Sequence, residues 1–378
     1  MQASDFSIKG WCPGALRPMQ SGDGLVVRIR PRMAQLTADQ LRGIAEAALT
    51  HGNGVIELTA RANVQLRGIT SESHPALIAA LDKLGLIDPD TQTESHRNVV
   101  LTPFWQDEPT RALTAALYAA LRSGPDLPGK FGFAVDTGTA RVLAQTSADI
   151  RIERSAGGLV LRADGKAGGQ AVTFDNAVAE ALKMAEWFVA SGGVRDGRGR
   201  MAPHVAQAAL PFDTSQLPVP ALPAPMPGLV AEGALVGFEF GILRAETLAK
   251  IARLAPMVRV TPWRMLLLCG AGLPALAGVI TEADDPRLRV IACTGKPGCP
   301  QALQETRSLA RRLAKDVPVG KLLHVSGCGK GCAHPAAAWL TLSATPRGFA
   351  VIPNGRAGAG GTLLPAAEIT SETLRKAM

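Results

Sequence analysis

The sequence predicts an α+β protein built as two similar halves. Three observations carry that expectation. A strand–helix–strand–strand pattern near the N-terminus returns in the second half of the chain. Each copy is followed by a strand–turn–strand segment with a Gly-rich tail, at residues 148–169 and again at 339–361. Between the copies, residues 217–227 place prolines at 218, 220, 223, 225 and 227, a density that gives an extended connector and no folded element. Self-similarity of this kind is the mark of a duplicated fold.

Taken in order, residues 25–30 (Leu-Val-Val-Arg-Ile-Arg) have strand composition. Residues 36–49 predict a helix: Thr37 is placed to cap it, Gln40 stands three positions on, and Leu41, Ile44, Ala45 and Ala48 recur near every 3.6 residues. Gly52 and Gly54 end it. Residues 55–59 and 63–67 are the next strands, and 74–85 a second helix carrying Leu77, Ile78, Leu81 and Leu84. The second copy reads strand at 235–240, helix at 245–254 and strands at 258–261 and 265–269, and a helix at 175–190 precedes the connector. Each half thus supplies a ferredoxin-like unit and a larger mixed α+β unit. The expected boundaries are 1–85 and 86–212 for the first half, 213–228 for the Pro-rich linker, and 229–280 and 281–378 for the second half.

At 378 residues, with 47% hydrophobic and 19% charged content, the chain is long enough for several proper cores. One tyrosine, Tyr118, and 4% aromatics argue against a base-stacking platform for nucleic acid. No secretory signal pattern opens the sequence and no apolar run approaches 18 residues, so the expected setting is cytoplasmic, with no membrane partner. The net charge of +8 is not gathered into Lys/Arg blocks. Arg28, Arg30, Arg61, Arg67 and Arg97 sit singly within strand-like segments, and Lys130 lies in a Gly/Pro loop. Guanidinium forks aimed into one concavity suit a carboxylate-rich ligand, whereas a solvated basic face, or pairing with Asp and Glu of the fold, is the plainer alternative.

Four of the six cysteines form a C-x5-C pair, Cys293 and Cys299, and a C-x3-C pair, Cys328 and Cys332, with 28 residues between the pairs. Gly295, Gly298, Gly327, Gly329 and Gly331 leave backbone N–H groups free to approach sulfur, and Lys296 and Lys330 add positive charge. A [4Fe–4S] cluster fits these surroundings best; structural zinc and coincidence stay open, since C-x3-C suits zinc and C-x5-C does not. Cys269 reads as a small buried hydrophobe and Cys12 as structural. His334 has an equal claim to orienting the cysteine loop, and no two-His-one-carboxylate iron pattern is legible around His96, His324 or His334. The loop of residues 127–132, which carries Lys130, is read as the first-half counterpart of the loop with Cys328 and Cys332. A twofold-like arrangement would then face a cluster wall with a basic wall.

These residues resemble the sulfite and nitrite reductase superfamily, the sirohaem-plus-[4Fe–4S] fold, over about residues 10–365. The two cysteine pairs match, Thr59, Arg61 and Gln65 match its Thr-x-Arg-x-x-x-Gln strand pair, Arg28 and Arg30 its Arg-x-Arg strand, and Arg97-Asn98-Val99 its Arg-Asn-Val segment. Within it, Lys9-Gly10-Trp11-Cys12-Pro13-Gly14 with Ser21-Gly22-Asp23-Gly24 and the run from His324 to Pro335 resemble the precorrin-3B synthase family of aerobic cobalamin biosynthesis. The resemblance implies an iron–sulfur monooxygenase that uses O2 and an external reductant, NADH or a redox protein, to hydroxylate precorrin-3A at C20 with lactone formation. It implies Arg30, Arg97 and Lys130 as catalytic residues, Arg28, Arg61, Gln65 and Arg67 as substrate-binding residues, and Cys293, Cys299, Cys328 and Cys332 as cluster ligands, with Cys332 nearest the macrocycle. It leaves room for a second, non-haem iron. The runner-up is a sirohaem-dependent sulfite or nitrite reductase, disfavoured because Gly132 stands where anion-reducing members carry a second lysine. The third reading is a non-catalytic tetrapyrrole-binding iron–sulfur protein. The Gly-rich run at 358–361 lacks the strand-to-helix context of a dinucleotide site.

Overall fold

The structure, a computed structural model, describes residues 12–106 and 108–376. Lys9, Gly10 and Trp11 of the N-terminal motif lie outside the described residues.

Thr37 caps the first long helix, Ala38–His51, as its sequence predicts. Its Oγ1 accepts from Gln40 N–H at 3.2 Å, and Gln40 Oε1 accepts from Thr37 N–H at 3.0 Å. The apolar stripe Leu41, Ile44, Ala45 and Ala48 is buried. The first sheet runs, in spatial order, Met19–Ser21, Gly24–Ile29, Val64–Ile69, Val55–Leu58 and Ile242–Arg244. Its last strand belongs to the second half. The mirror-image exchange occurs in the second ferredoxin-like sheet, ordered Gly228–Val230, Gly233–Phe238, Leu266–Cys269, Met257–Val260 and Gln35–Thr37. Leu36 pairs with Val258, and Leu243 with Ile56. Each half therefore caps an edge of the other's sheet, which removes an exposed edge from both. Leu41, Ile44 and Leu66 consequently share one apolar core with Leu248, Ile251 and Val258.

The duplication continues outward. The third sheet is ordered Gln170–Val172, Gly158–Ala163, Ile150–Ser155, Phe133–Asp136 and Val99–Leu101; the fourth is ordered Val290–Ala292, Leu323–Ser326, Ala338–Thr345, Gly348–Gly355 and Thr362–Leu364. In both sheets the first three strands in chain order are parallel and the rest antiparallel. This order corrects the pairing of loops expected from sequence. The cysteine loops leave the C-terminal ends of Val290–Ala292 and Leu323–Ser326, whereas the Lys130 loop leads into Phe133–Asp136. The true counterpart of the Cys328 loop leaves Phe133–Asp136, at residues 137–149. Loop chemistry misled the comparison; strand order decides it.

The helix Glu108–Arg122, not anticipated from sequence, buries Leu113, Leu117 and Leu121 against the helix Ala177–Ala190. The proline-dense connector is extended and lies along the first α+β unit, where Val219 N–H donates to Arg154 O and Gly169 pairs with Gln216.

Candidate active-site cleft

Strand alternation puts Val27, Ile29, Val64 and Leu66 into the core, and Arg28, Gln65 and Arg67 on the opposite face. Gln65 pairs across the strands with both Arg28 and Glu57. Its Oε1 accepts from Arg28 Nε and Nη2 at 3.0 and 2.6 Å, and its Nε2 donates to Glu57 Oε2 at 3.2 Å. This row floors a cleft of about 340 Å³. Arg61 enters from the turn after Val55–Leu58. There Thr59 Oγ1 accepts from the Arg61 and Asn63 amides, and Ala62 takes φ 54°. The opposite wall carries Arg264, Cys293, Thr294 and Cys332 from the second half. Arg264 sits in the matching turn, at φ 59°, where Thr261 repeats the role of Thr59.

The cations of this cleft are poorly compensated. Burial lowers the basicity of Arg61 and Arg264, and neighbouring arginines add to it. Arg30, 6% exposed, falls to about 10 through burial and the charge of Arg28. Among the described residues its Nε has no hydrogen-bond partner. Arg30 opens on an adjoining cavity of about 440 Å³ that shares Cys12 with the cleft. Lys130 stands beside this group: its carbonyl accepts from Arg61 Nη2 at 2.9 Å, and its charge acts on Cys12. Buried positive charge in excess of carboxylates is a standing demand for an anionic ligand.

Two expected site residues are not presented to the cleft. Arg97 forks onto buried Asp88, at 3.2 and 2.7 Å, and onto Arg30 O at 2.8 Å. Its guanidinium is engaged in the fold. Arg67 lies behind Gln65, forking onto Asp23 (2.9 and 2.5 Å) and reaching Glu57 Oε2 and Gly298 O at 3.3 and 3.0 Å. That Gly298 carbonyl also accepts from Ser21 Oγ and Gly22 N–H. The Ser21–Gly24 hairpin thereby grips the loop between Cys293 and Cys299. Glu57 Oε1 accepts from Arg307 at 2.8 Å, and Arg307 reaches Thr294 Oγ1 at 3.4 Å. A continuous polar chain runs from Arg28 to both ends of that loop. Sequence reasoning singled out neither Glu57, Arg264 nor Arg307; of these only Arg264 had a signal, its place in the repeated turn.

The cysteine loops are shaped for sulfur. Gly327 N–H donates to Cys293 Sγ at 3.0 Å, and a Cβ at Gly327 would meet Ala302 Cβ at 2.9 Å, so glycine is required for that approach. Thr306 Oγ1 ties down Cys293 O at 2.7 Å. Lys330 N–H reaches the Cys328 thiol. Burial raises the Cys328 and Cys332 thiols, and the charges of Cys293 and Cys299 raise both further. The four thiols are thus close enough to act on one another. Among the described residues, no three His, Cys, Asp or Glu side chains are grouped to hold a single ion. Four thiols with backbone N–H groups directed at Cys293 and Cys328 are a donor set that fits an iron–sulfur cluster.

The N-terminal motif is held by Glu94, whose carboxylate accepts from Ala15 and Leu16 amides at 2.5 and 3.3 Å. A Cβ on Gly14 would fall 2.1 Å from Glu94 Oε2. This places Cys12 between the two cavities. Gly132 is also enforced: a Cβ there would lie 2.8 and 3.0 Å from Asn98 Nδ2 and O, so no lysine fits without moving Asn98.

Residues 17–84 match the family described as "Nitrite/Sulfite reductase ferredoxin-like half domain". The chain is 32% identical to a precorrin-3B synthase of Sinorhizobium sp., over 92% of this chain and 83% of that protein. It is 24% identical to a ferredoxin–nitrite reductase of Synechococcus elongatus, over 86% and 77% respectively. Among solved structures, the Mycobacterium tuberculosis NirA protein superposes with a TM-score of 0.61 at 18% identity, covering 93% of this chain and 79% of that one, a likeness of fold. No helix among the described residues is long and apolar enough to cross a membrane.

Proposed function

The chain belongs to the precorrin-3B synthase family, and from that premise we propose that it hydroxylates precorrin-3A with dioxygen, forming the lactone of precorrin-3B. The observation that carries this reading is the composition of the cleft: Arg28, Arg61 and Arg264, in excess over carboxylates, share one cavity with Cys293 and Cys332. A polycarboxylate macrocycle supplies the missing negative charge. Arg61 and Arg28 form the basic wall that holds its acid side chains, Gln65 fixes the Arg28 fork, and Arg30 with Lys130 serves a carboxylate projecting past Cys12. Arg67 is assigned a positioning role, holding the Cys299 loop through Gly298. Arg97 is assigned to holding the backbone at Arg30.

Cys293, Cys299, Cys328 and Cys332 would hold a [4Fe–4S] cluster, which supplies one-electron transfer when bound. The protein's own part is to keep those thiolates in register through Gly327 and Thr306, to bind the macrocycle beside Cys332, and to exclude bulk water from the floor of the cleft. Reducing equivalents come from an external donor, NADH or a redox protein. The sirohaem reductase reading is disfavoured by Gly132, because the lysine that would complete an inorganic-anion cage has no space.

Arg61→Ala tests the basic wall. The loss of one charge-assisted contact, about 1.5–3 kcal/mol, weakens anaerobic precorrin-3A binding roughly 10–100-fold in a fluorescence or absorbance titration. Unchanged affinity removes Arg61 from the ligand site.

A further inference from the structure

Cys12 is a thiol that the proposed reaction does not use, yet the fold gives it a particular setting. It lines both the cluster-facing cleft and the adjoining cavity. Burial alone would push its thiol up, but the charges of Arg28 and Arg61, a hydrogen bond from Arg28 and the charge of Lys130 outweigh that and bring it below the ordinary cysteine value. The nearby carboxylates offset these cations only in part, Asp149 acting on Arg61 while the others are otherwise engaged. Glu94 is engaged by the Ala15 and Leu16 amides, and Glu57 by Gln65, Arg67 and Arg307. A second, independent feature points into the same space. Arg30 is more than nine-tenths buried, shares the 440 Å³ cavity with Cys12, and has no side-chain hydrogen bond among the described residues. The cavity therefore receives a guanidinium whose Nε is unpaired among the described residues, with the charge of Glu94 acting on it, and a thiol at one boundary.

We propose that Cys12 is a peroxide-reactive thiol, whose oxidation closes the cleft to anionic ligands by setting a sulfenate oxygen, bulkier and a stronger hydrogen-bond acceptor than the bare sulfur, among the cations that would bind them. The co-reactant is hydrogen peroxide. The thiolate sulfur attacks one peroxide oxygen, and the S–O bond forms as the O–O bond breaks. The departing hydroxide takes the sulfenic proton and becomes water. Sulfur loses two electrons and peroxide gains them, leaving a sulfenate that Arg28 and Arg61 stabilise as an anion. Cys269 is the internal comparison: burial raises its thiol, and it lies on the second ferredoxin-like sheet away from this cavity.

The test uses the full chain purified anaerobically with its cluster, so that the four ligand cysteines are occupied. Iodoacetate and iodoacetamide are each applied, and adducts at Cys12 and Cys269 are followed by peptide mass spectrometry. Cys12 is expected to react at least about tenfold faster than Cys269, and faster with the anionic reagent than with the neutral one. Lys130→Met, which removes a cation and keeps the Lys130 carbonyl that accepts from Arg61, should slow the iodoacetate reaction more than the iodoacetamide one. Peroxide followed by dimedone should label Cys12. Equal rates at the two cysteines, preference for iodoacetamide, or no dimedone adduct at Cys12 would overturn the proposal. The closing of the cleft rests on the anion-binding reading above and has its own readout. Peroxide-treated protein loses precorrin-3A affinity that untreated protein has, and oxidised protein that binds as tightly as before refutes the closing. Untreated protein that binds no tetrapyrrole instead refutes the functional reading, while the labelling result still decides Cys12.

Discussion

Replacing Cys332 with serine is expected to strip the protein of its cluster. Iron and acid-labile sulfide, about four of each per chain for a [4Fe–4S] group, fall to background, and conversion of precorrin-3A falls at least about 100-fold. The expectation follows from the donor set. A serine hydroxyl is a poor donor to iron beside thiolates, and Cys332 lines the same wall of the cleft as Cys293. Cys269→Ser is the matched control, since Cys269 takes no part in the sulfur group, and it should keep its iron. Retention of iron, sulfide and turnover in Cys332→Ser would remove the cluster assignment.

Arg67→Met is expected to cost about 3 kcal/mol of stability, the lower part of the range for breaking a buried ion pair, and to make the cluster labile. The Arg67 side chain is 6% exposed, while its partners Glu57 and Asp23 are 12% and 26% exposed, so the charges left behind are mostly shielded from water. One of the three donors to Gly298 O is lost as well, which loosens the loop between Cys293 and Cys299. Urea unfolding measures the first effect, and the rate of iron release to a chelator measures the second. Adding Asp23→Asn should recover part of the loss, because it removes one of the stranded carboxylates. A variant within about 0.5 kcal/mol of the parent, with unaltered iron release, would show that the clamp does not act.

Much of the fold was legible where the signal is local. The capping box of Thr37 and Gln40, the apolar stripe that follows it, and the duplicated strand hairpins are all written in short-range periodicity. The exchange of Gln35–Thr37 and Ile242–Arg244 between halves was not. Three-residue strands carry too little pattern to show their partner, and the turns before them use left-handed Met33, Ala34 and Phe240, non-glycine residues whose conformation the sequence does not announce. At the site, a carboxylate-ready arginine and a structurally committed one look alike in sequence. Arg61 and Arg97 differ only in what lies opposite. Asp88 meets Arg97 in space, and Asp23, far from Arg67 in the chain, meets it across the hairpin. Gly132 was legible as a departure from a lysine motif, but its reason, the crowding by Asn98, is visible only in three dimensions. Cys12, read from sequence as structural, stands at the junction of two cavities because Glu94 holds the following backbone.

The most direct test of function is the fate of labelled dioxygen. The cluster-containing protein is supplied with precorrin-3A, a reductant and 18O2, and the tetrapyrrole product is analysed by mass spectrometry. A product carrying one labelled oxygen atom is the expected result. Unchanged precorrin-3A under these conditions, with nitrite or sulfite consumed instead when offered, would contradict the hydroxylase and place the chain among the anion reductases.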